Sequence, residues 1–364
     1  MAGSFRLRLF RIPFKEFAAL FLRNAWYVAA WDHEVTRDLR AVRVLGDSIV
    51  LYRTEAGEPV ALEDACRHRK LPLSMGRLKG DELECGYHGL VYDRAGICTR
   101  IPGVKRVPGS VCVRSYPAVS RYGLVWIWMG SVAQAHSATI FPVEHWDDLH
   151  WGRNDGGSMI VDCNYLYVTD NLLDPSHVAW VHRTSFGNEA CEDEPVQTTV
   201  STEGVIAARW LQNVEVAPFY APFVTFEGRC DRLQHYEVRF PSHAIIRALF
   251  VPAGTGGHGR PIHDKALLMD SYNFMTPIDA EHTRYFWFQM RNFSPADERV
   301  SKIMDDAVRE AFTEDRVILN AVHRGFANQV TPNIDLAIDR APMQLRRGLT
   351  QLIAAEQLTT TTTA

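Results

Sequence analysis

Apolar and polar residues alternate over short stretches in the first third of the chain; farther on, the stretches lengthen and finally change period. From Asn24 to about Gly130, segments such as 41–45, 48–52 and 124–128 carry the Val, Ile and aromatic residues typical of strands. Turn residues separate them, as in Ala56-Gly57-Glu58 and Arg94-Ala95-Gly96. This pattern predicts a β-rich unit of its own. Residues 131–156 read as a connection, with Pro142 and Asn154-Asp155-Gly156-Gly157. Strand-like segments follow at 205–210, 235–240, 244–251, 267–275 and 283–290. Over 296–325 the period becomes helical, with Val300, Ile303, Met304, Ala307, Val308, Ala311 and Phe312 on one side. A last helix is predicted over 341–357, and the threonine-rich end, 358–364, reads as a disordered tail.

A length of 364 residues implies two domains. With 46% hydrophobic and 23% charged residues the chain is globular and soluble. A formal net charge of −4 and the lack of a basic stripe argue against a nucleic-acid partner. No apolar stretch is long enough to span a bilayer, so no membrane partner is expected. Residues 1–20 form an N-terminal extension with Arg6, Arg8, Arg11 and Lys15 among Phe and Leu.

The chemistry is concentrated in two places. The first is Cys66-Arg67-His68 followed by Cys85-Gly86-Tyr87-His88. Each short loop offers one thiolate and one imidazole. Two cysteines on one iron and two histidines on the other make the Rieske form of a [2Fe-2S] cluster, whose reduction potential lies above that of an all-cysteine cluster. A structural zinc ion would accept the same four atoms and stays open on the residues alone. The five other cysteines, Cys98, Cys112, Cys163, Cys191 and Cys230, are scattered and odd in number, as for reduced thiols in a cytoplasmic protein.

The second place is Asn171-Leu172-Leu173-Asp174-Pro175-Ser176-His177, continuing to His182. Five residues apart on a regular helix, His177 and His182 would point about 140° away from each other. They converge on one metal only if the helix ends or distorts between them. Asp315, on the long C-terminal helix, is the best third ligand; Glu314 beside it is expected to point elsewhere. Two histidines and a carboxylate with open positions would suit non-haem Fe(II).

At these residues the chain resembles the Rieske non-haem iron oxygenases, and more narrowly the vanillate O-demethylase and toluenesulfonate methyl-monooxygenase group. The resemblance rests on Asn24-Ala25-Trp26-Tyr27-Val28-Ala29-Ala30-Trp31, both cysteine–histidine loops, Asp170-Asn171-Leu172-Leu173-Asp174, Arg284-Tyr285-Phe286-Trp287 and Phe312-Thr313-Glu314-Asp315. It implies an α+β fold with an all-β Rieske domain over 21–130. A catalytic domain over 131–357 would follow, with an antiparallel sheet flanked by helices. It also implies a head-to-tail homotrimer, in which Asp174 bridges His177 and His88 of the partner subunit, while Asn171 would lie near the iron without ligating it or would only satisfy backbone groups. Electrons would come from NAD(P)H through a separate reductase, flavin plus ferredoxin-type, or through a ferredoxin.

The expected activity is O2-dependent hydroxylation or O-demethylation of a small, methoxybenzoate-like aromatic. Rivals are ring hydroxylation or cis-dihydroxylation, a pure Rieske electron carrier, and a zinc-stabilised binding module. Candidate substrate contacts are His243, Ile246 and Asn273, with Phe250 and Trp287. Two departures stand out. Arg67 occupies a position where relatives commonly have Pro, and relatives tend to begin near Phe21. An alternative start at Leu20 would make residues 1–19 non-native.

Overall fold

The computed structural model describes residues 21–192, 194–328 and 330–362. The N-terminal extension therefore lies outside the described residues. The chain divides into two compact units.

The N-terminal unit runs to Pro142 and includes Thr276–Ala280. Its strands are β1 (Trp26–Trp31), β2 (Arg40–Val44), β3 (Asp47–Arg53), β4 (Pro59–Glu63), β5 (Arg77–Lys79), β6 (Glu82–Glu84), β7 (Val91–Tyr92), β8 (Cys98–Arg100), β9 (Ser115–Tyr116), β10 (Ala118–Arg121) and β11 (Leu124–Trp128). They form three antiparallel sheets in the orders β1-β11-β10, β2-β3-β4-β9 and β5-β6-β7-β8. Alternation is weak in β1 and β11, which are buried on both sides. One core cluster packs Val50, Tyr52, Leu62, Leu73, Leu83 and Tyr92 around Cys66 and Cys85. The two cysteines are thus part of the apolar interior, 2% exposed each. Residues 131–142, expected as connection, cluster with this unit. The segment 276–280 does so as well, with Thr276 Oγ1 donating to the Val28 carbonyl at 2.7 Å.

The C-terminal unit holds Val143–Met275 and Glu281–Leu358. Its strands are β12 (Gly152–Arg153), β13 (Gly157–Val161), β14 (Gln197–Val200), β15 (Gly204–Val214), β16 (Cys230–Arg239), β17 (His243–Pro252), β18 (Leu267–Pro277) and β19 (Thr283–Arg291). The sheet order is β12-β19-β18-β17-β16-β15-β14, with β13 also on β19. From β14 to β19, neighbours in sequence are neighbours in space, so the pairings need only hairpin connections.

Among the described residues this unit has four α-helices: α1 (Tyr165–Asn171), α2 (Val178–Val181), α3 (Glu298–Ala327) and α4 (Arg340–Thr362). The Asn164 side chain caps α1 by accepting from the Leu166 N–H. Asp297 does the same for α3, accepting from Arg299 and Val300. The buried stripe of α3 is Val300, Met304, Val308, Ala311, Asp315 and Leu319; Ile303, predicted on that side, is 50% exposed. The end of α4 corrects one expectation. The helix continues to Thr362 and takes in most of the segment read as a disordered tail. Extending an existing helix adds a hydrogen bond for each residue ordered, and threonine opposes this only weakly. Among the described residues no helix is long and apolar enough to cross a membrane.

Two candidate metal centres and a lined cavity

The two cysteine–histidine loops join β4 to β5 and β6 to β7 and share one backbone design. Cys66 N–H donates to the Leu71 carbonyl, and Lys70 N–H returns to the Cys66 carbonyl, both at 2.9 Å. In the second loop Cys85 N–H donates to Leu90 at 2.7 Å, and Gly89 N–H returns to Cys85 at 3.1 Å. Each loop reverses through a left-handed residue, Lys70 at φ 59° and Gly89 at φ 68°. The shared turn brings His68 and His88 together, ring centroids 4.6 Å apart. Both imidazoles are exposed while both thiols are buried.

The loops are held closely from beneath. A Cβ on Gly86 would come within 2.8 Å of the Met75 carbonyl oxygen, and one on Gly76 within 2.3 Å of that of Glu84. Asp64 accepts from the N–H and hydroxyl of Ser74 at 2.6 and 2.7 Å, fixing the intervening segment. Burial pushes the Cys85 thiol up, and neighbouring Cys66 adds to this. All seven cysteines are free of disulfides. Tyr92, missed in the sequence as a functional residue, has its hydroxyl 3.3 Å from Cys66 Sγ. It also accepts from the Arg67 N–H at 3.1 Å. The Arg67 residue itself is exposed. Two adjoining buried sulfurs and two adjoining outer imidazoles suit a cluster with one iron on each ligand type.

The second centre gathers His177, His182 and Asp315, whose candidate ligand atoms lie within 4.8 Å of one another. The helical objection to the histidine pair disappears because α2 is a single turn. His177 precedes it in helical geometry and His182 ends it at φ −112°, ψ 32°. Asp315 Oδ1 lies 3.2 Å from His182 Nε2 and 3.7 Å from His177 Nε2. Both other ring nitrogens are engaged. His177 Nδ1 meets the Asp174 main-chain carbonyl, which can only accept, so this nitrogen donates. His182 Nδ1 lies 2.8 Å from Glu314 Oε2. Each imidazole is thereby set to turn the Nε2 lone pair inward, as a metal ligand requires.

Electrostatics bind these groups further. Burial opposes charge on His182, but Asp315 and Glu314 outweigh it and raise its pKa. Burial likewise opposes ionisation of Asp315, yet His182, His177 and Asn171 hold its pKa low. A low-pKa carboxylate beside two oriented imidazoles fits a divalent iron ion with positions left open.

Two expectations need correction. Glu314 does not point elsewhere but meets His182. Adjacent helical residues lie about 100° apart, and His182 is close enough to touch both. The contact from Asp174 to His177 comes from the main chain. The Asp174 carboxylate instead accepts from the Ser176 N–H at 2.8 Å, closing a local turn. Asn171 lies beside the set, its Nδ2 donating to Asp315 at 3.2 Å.

A half-open cavity lies beside these ligands. Its walls include Leu172, Val178, Phe186, Ile246, Ala248, Met269 and Phe312, with Arg232, Gln234 and Tyr236 contributed by β16. Alternate residues of a strand share a face, so these last three line the cavity together. Of the candidate substrate contacts, Ile246 is in the lining. His243 lies three positions away on the same strand and packs against Phe274. Asn273 is fully buried and accepts from Tyr285 Oη at 2.8 Å, outside the lining. Phe250 lies tilted against Tyr220, and Trp287 meets Phe312 edge-on, both as core.

Residues 161–355 match the family model of the vanillate O-demethylase oxygenase C-terminal domain, and residues 25–117 match that of the Rieske [2Fe-2S] domain. The chain is 37% identical over 345 residues to the toluene-4-sulfonate monooxygenase system iron-sulfur subunit of Comamonas testosteroni, covering 93% of this chain and 98% of that protein. It is 34% identical over 346 residues to the vanillate O-demethylase oxygenase subunit of Pseudomonas sp. (strain HR199 / DSM 7063), covering 93% and 96%. A crystal structure of dicamba monooxygenase bound to 3,6-dichlorosalicylic acid aligns with a TM-score of 0.84 at 30% identity, over 93% of this chain and 99% of that one. The zinc-module and electron-carrier readings fall with these matches, because the family model matched by residues 161–355 is that of an oxygenase. The chain belongs to the Rieske non-haem iron oxygenases, as an oxygenase component of the vanillate O-demethylase type.

Proposed function

We propose that this oxygenase component hydroxylates or O-demethylates a small aromatic of methoxybenzoate type. The observation that carries this reading is the opening of the His177–His182–Asp315 set onto a mostly apolar cavity. Cys66, His68, Cys85 and His88 would hold the [2Fe-2S] cluster, and His177, His182 and Asp315 the iron. When bound, the cluster supplies electrons singly and the iron supplies O2 activation.

The chain's own residues provide orientation and exclusion of water. Glu314 and the Asp174 carbonyl hold the histidine rings. Asn171 holds Asp315. Leu172, Val178, Ala248 and Met269 exclude solvent from a bound ring, and Phe312 offers a face for it. Hydroxylation of an O-methyl carbon would release formaldehyde and leave a phenol; hydroxylation of a ring methyl would leave an alcohol.

The finer parts of the reading concern assembly. Electrons would come from NAD(P)H through a separate reductase carrying flavin and a ferredoxin-type cluster. A head-to-tail homotrimer would set Asp174 against His88 of the partner subunit. The named function of the relatives as oxygenase subunits of multicomponent systems supports a reductase.

A single turnover tests the activity. The iron-loaded protein is reduced without air, mixed with 4-methoxybenzoate or vanillate, exposed to O2 and assayed for formaldehyde and phenol. Stoichiometric formaldehyde is expected. An alcohol from a methylated ring, with no formaldehyde from the methoxy compounds, would replace demethylation by methyl hydroxylation.

A further inference from the structure

The cavity beside the candidate iron ligands contains a buried cation that no acidic group among the described residues neutralises. Arg232, on β16, is 2% exposed. Its Nη2 donates to the Phe186 carbonyl at 2.8 Å, and its Nη1 points at Cys191 Sγ at 3.7 Å. Its guanidinium stands 5.0 Å from the centroid of Phe250. Among the described residues no carboxylate lies within ion-pair distance of it, and its Nε has no hydrogen-bond partner. The adjacent Asp231 is committed elsewhere, accepting from the Asn213 and Gly256 N–H groups at 2.9 Å each.

Taking a guanidinium out of water carries a large desolvation cost, and an aromatic face recovers only part of it. The neighbouring Arg247 shows how the same fold treats a cation that it neutralises. That guanidinium is bidentate to Asp270 and also bonded to Glu144.

Gln234 adds a second donor. It lies two residues along the same strand and is 1% exposed. Its Oε1 is taken by Arg209 Nε at 2.7 Å. This fixes the amide orientation and leaves Nε2, which has no partner among the described residues, as the free end. Arg209 is itself held by the Glu194 and Pro175 carbonyls, so Gln234 is not free to turn over. The cavity thus offers a positive charge and two unused donors on one strand face. An oxyanion carries the complementary set: negative charge and acceptor lone pairs.

We infer that Arg232 and Gln234 bind an anionic substituent, a carboxylate or a sulfonate, of the aromatic substrate and so orient its methyl-bearing end toward His177, His182 and Asp315. This deepens, and rests on, the monooxygenase reading of the same site. The anion supplies the charge that Arg232 lacks, and a neutral ring would leave the guanidinium buried and unpaired.

Equilibrium binding to the iron-loaded protein, without reductant or O2, tests this. The probes are 4-methoxybenzoate and 4-toluenesulfonate against the neutral methyl 4-methoxybenzoate and 4-methylanisole. The wild type is expected to bind at least one anion about 30-fold or more tighter than its neutral counterpart. The tighter anion identifies the substituent. Arg232→Met should abolish the preference, Arg232→Lys should keep part of it, and Gln234→Leu should reduce it by about 5-fold or more. Equal binding of anions and neutral rings by the wild type overturns the inference. So does an anion preference that survives Arg232→Met. If Arg232→Met does not fold, the wild-type preference and its reduction in Gln234→Leu decide the matter.

The single-turnover assay reads separately. Arg232-dependent anion binding without product would uphold the binding site and refute the monooxygenation assigned to it. Product from neutral rings, with no anion preference, would do the reverse.

Discussion

The cluster loops and the mononuclear site are built in opposite ways. All four candidate cluster ligands fall between Cys66 and His88, and each loop closes on itself by main-chain hydrogen bonds. The three candidate mononuclear ligands come from either end of a single helical turn and from the middle of α3, with Asp315 far along the chain from His177. The first site is a property of local backbone geometry. The second exists only when α1, α2 and α3 pack on one sheet. They should therefore fail separately: backbone changes should destroy the cluster, and side-chain changes in the other unit should destroy the iron site.

Two substitutions with the largest expected effects test that independence. Gly86→Val places a side chain where only 2.8 Å separates the Cβ from the Met75 oxygen. It should remove the cluster's visible absorption and its electron paramagnetic resonance signal, while one equivalent of mononuclear iron stays bound per chain. Asp315→Ala should do the opposite, with the cluster spectrum intact, iron content near zero and turnover below detection. Loss of both centres in either variant would show that the two sites depend on each other.

Glu314→Gln is a subtler probe. It keeps the length of the side chain but removes the charge that holds the His182 ring. The expected result is iron bound about 10–100-fold more weakly in a chelator competition, with the cluster spectrum unaltered. An unchanged iron affinity would reduce the His182 contact to a surface ion pair.

The smallest effect concerns acid stability of the sheet that carries the cavity. Burial opposes ionisation of Glu237, but His235 and Arg239 outweigh it and lower its pKa from 4.5 to about 2. A depressed carboxyl stabilises the fold above its unfolded pKa and stops doing so as pH falls through the folded one. Glu237 should thus contribute on the order of 1–2 kcal/mol near neutrality, after allowance for solvent screening. That contribution should vanish between about pH 4.5 and 2. Denaturant titrations of wild type and Glu237→Gln would then differ at pH 7 and converge on acidification. A constant difference would remove the ion pairs as its cause.

The uneven legibility of the two regions has the same root as their construction. Cys66, His68, Cys85 and His88 were readable because their spacing is the geometry. The strand β16 shows the opposite case. Its hydrophobic pattern predicted a start at position 235, but the strand begins at Cys230 and includes Arg232 and Gln234. Polar residues at cavity-facing positions break the alternation by which strands are recognised, so the functional part of the strand was the part left out. In α3 an acid on an apolar stripe, Asp315, was a usable signal. Glu314 gave none, since its role depends on where His182 lands.

The sequence alone established the cluster motif, the family and the β-then-helical order of elements, and it named the residues of the second candidate metal set. Those features reside in residue type and short-range spacing, which a linear chain displays directly. Only the tertiary structure decided that α2 stops after one turn, that Asp174 meets His177 through its carbonyl, and that Arg232 and Gln234 share a cavity wall with Ile246. Each of these depends on contacts between segments distant in the chain or on the exact end of a helix, and neither is encoded in local periodicity.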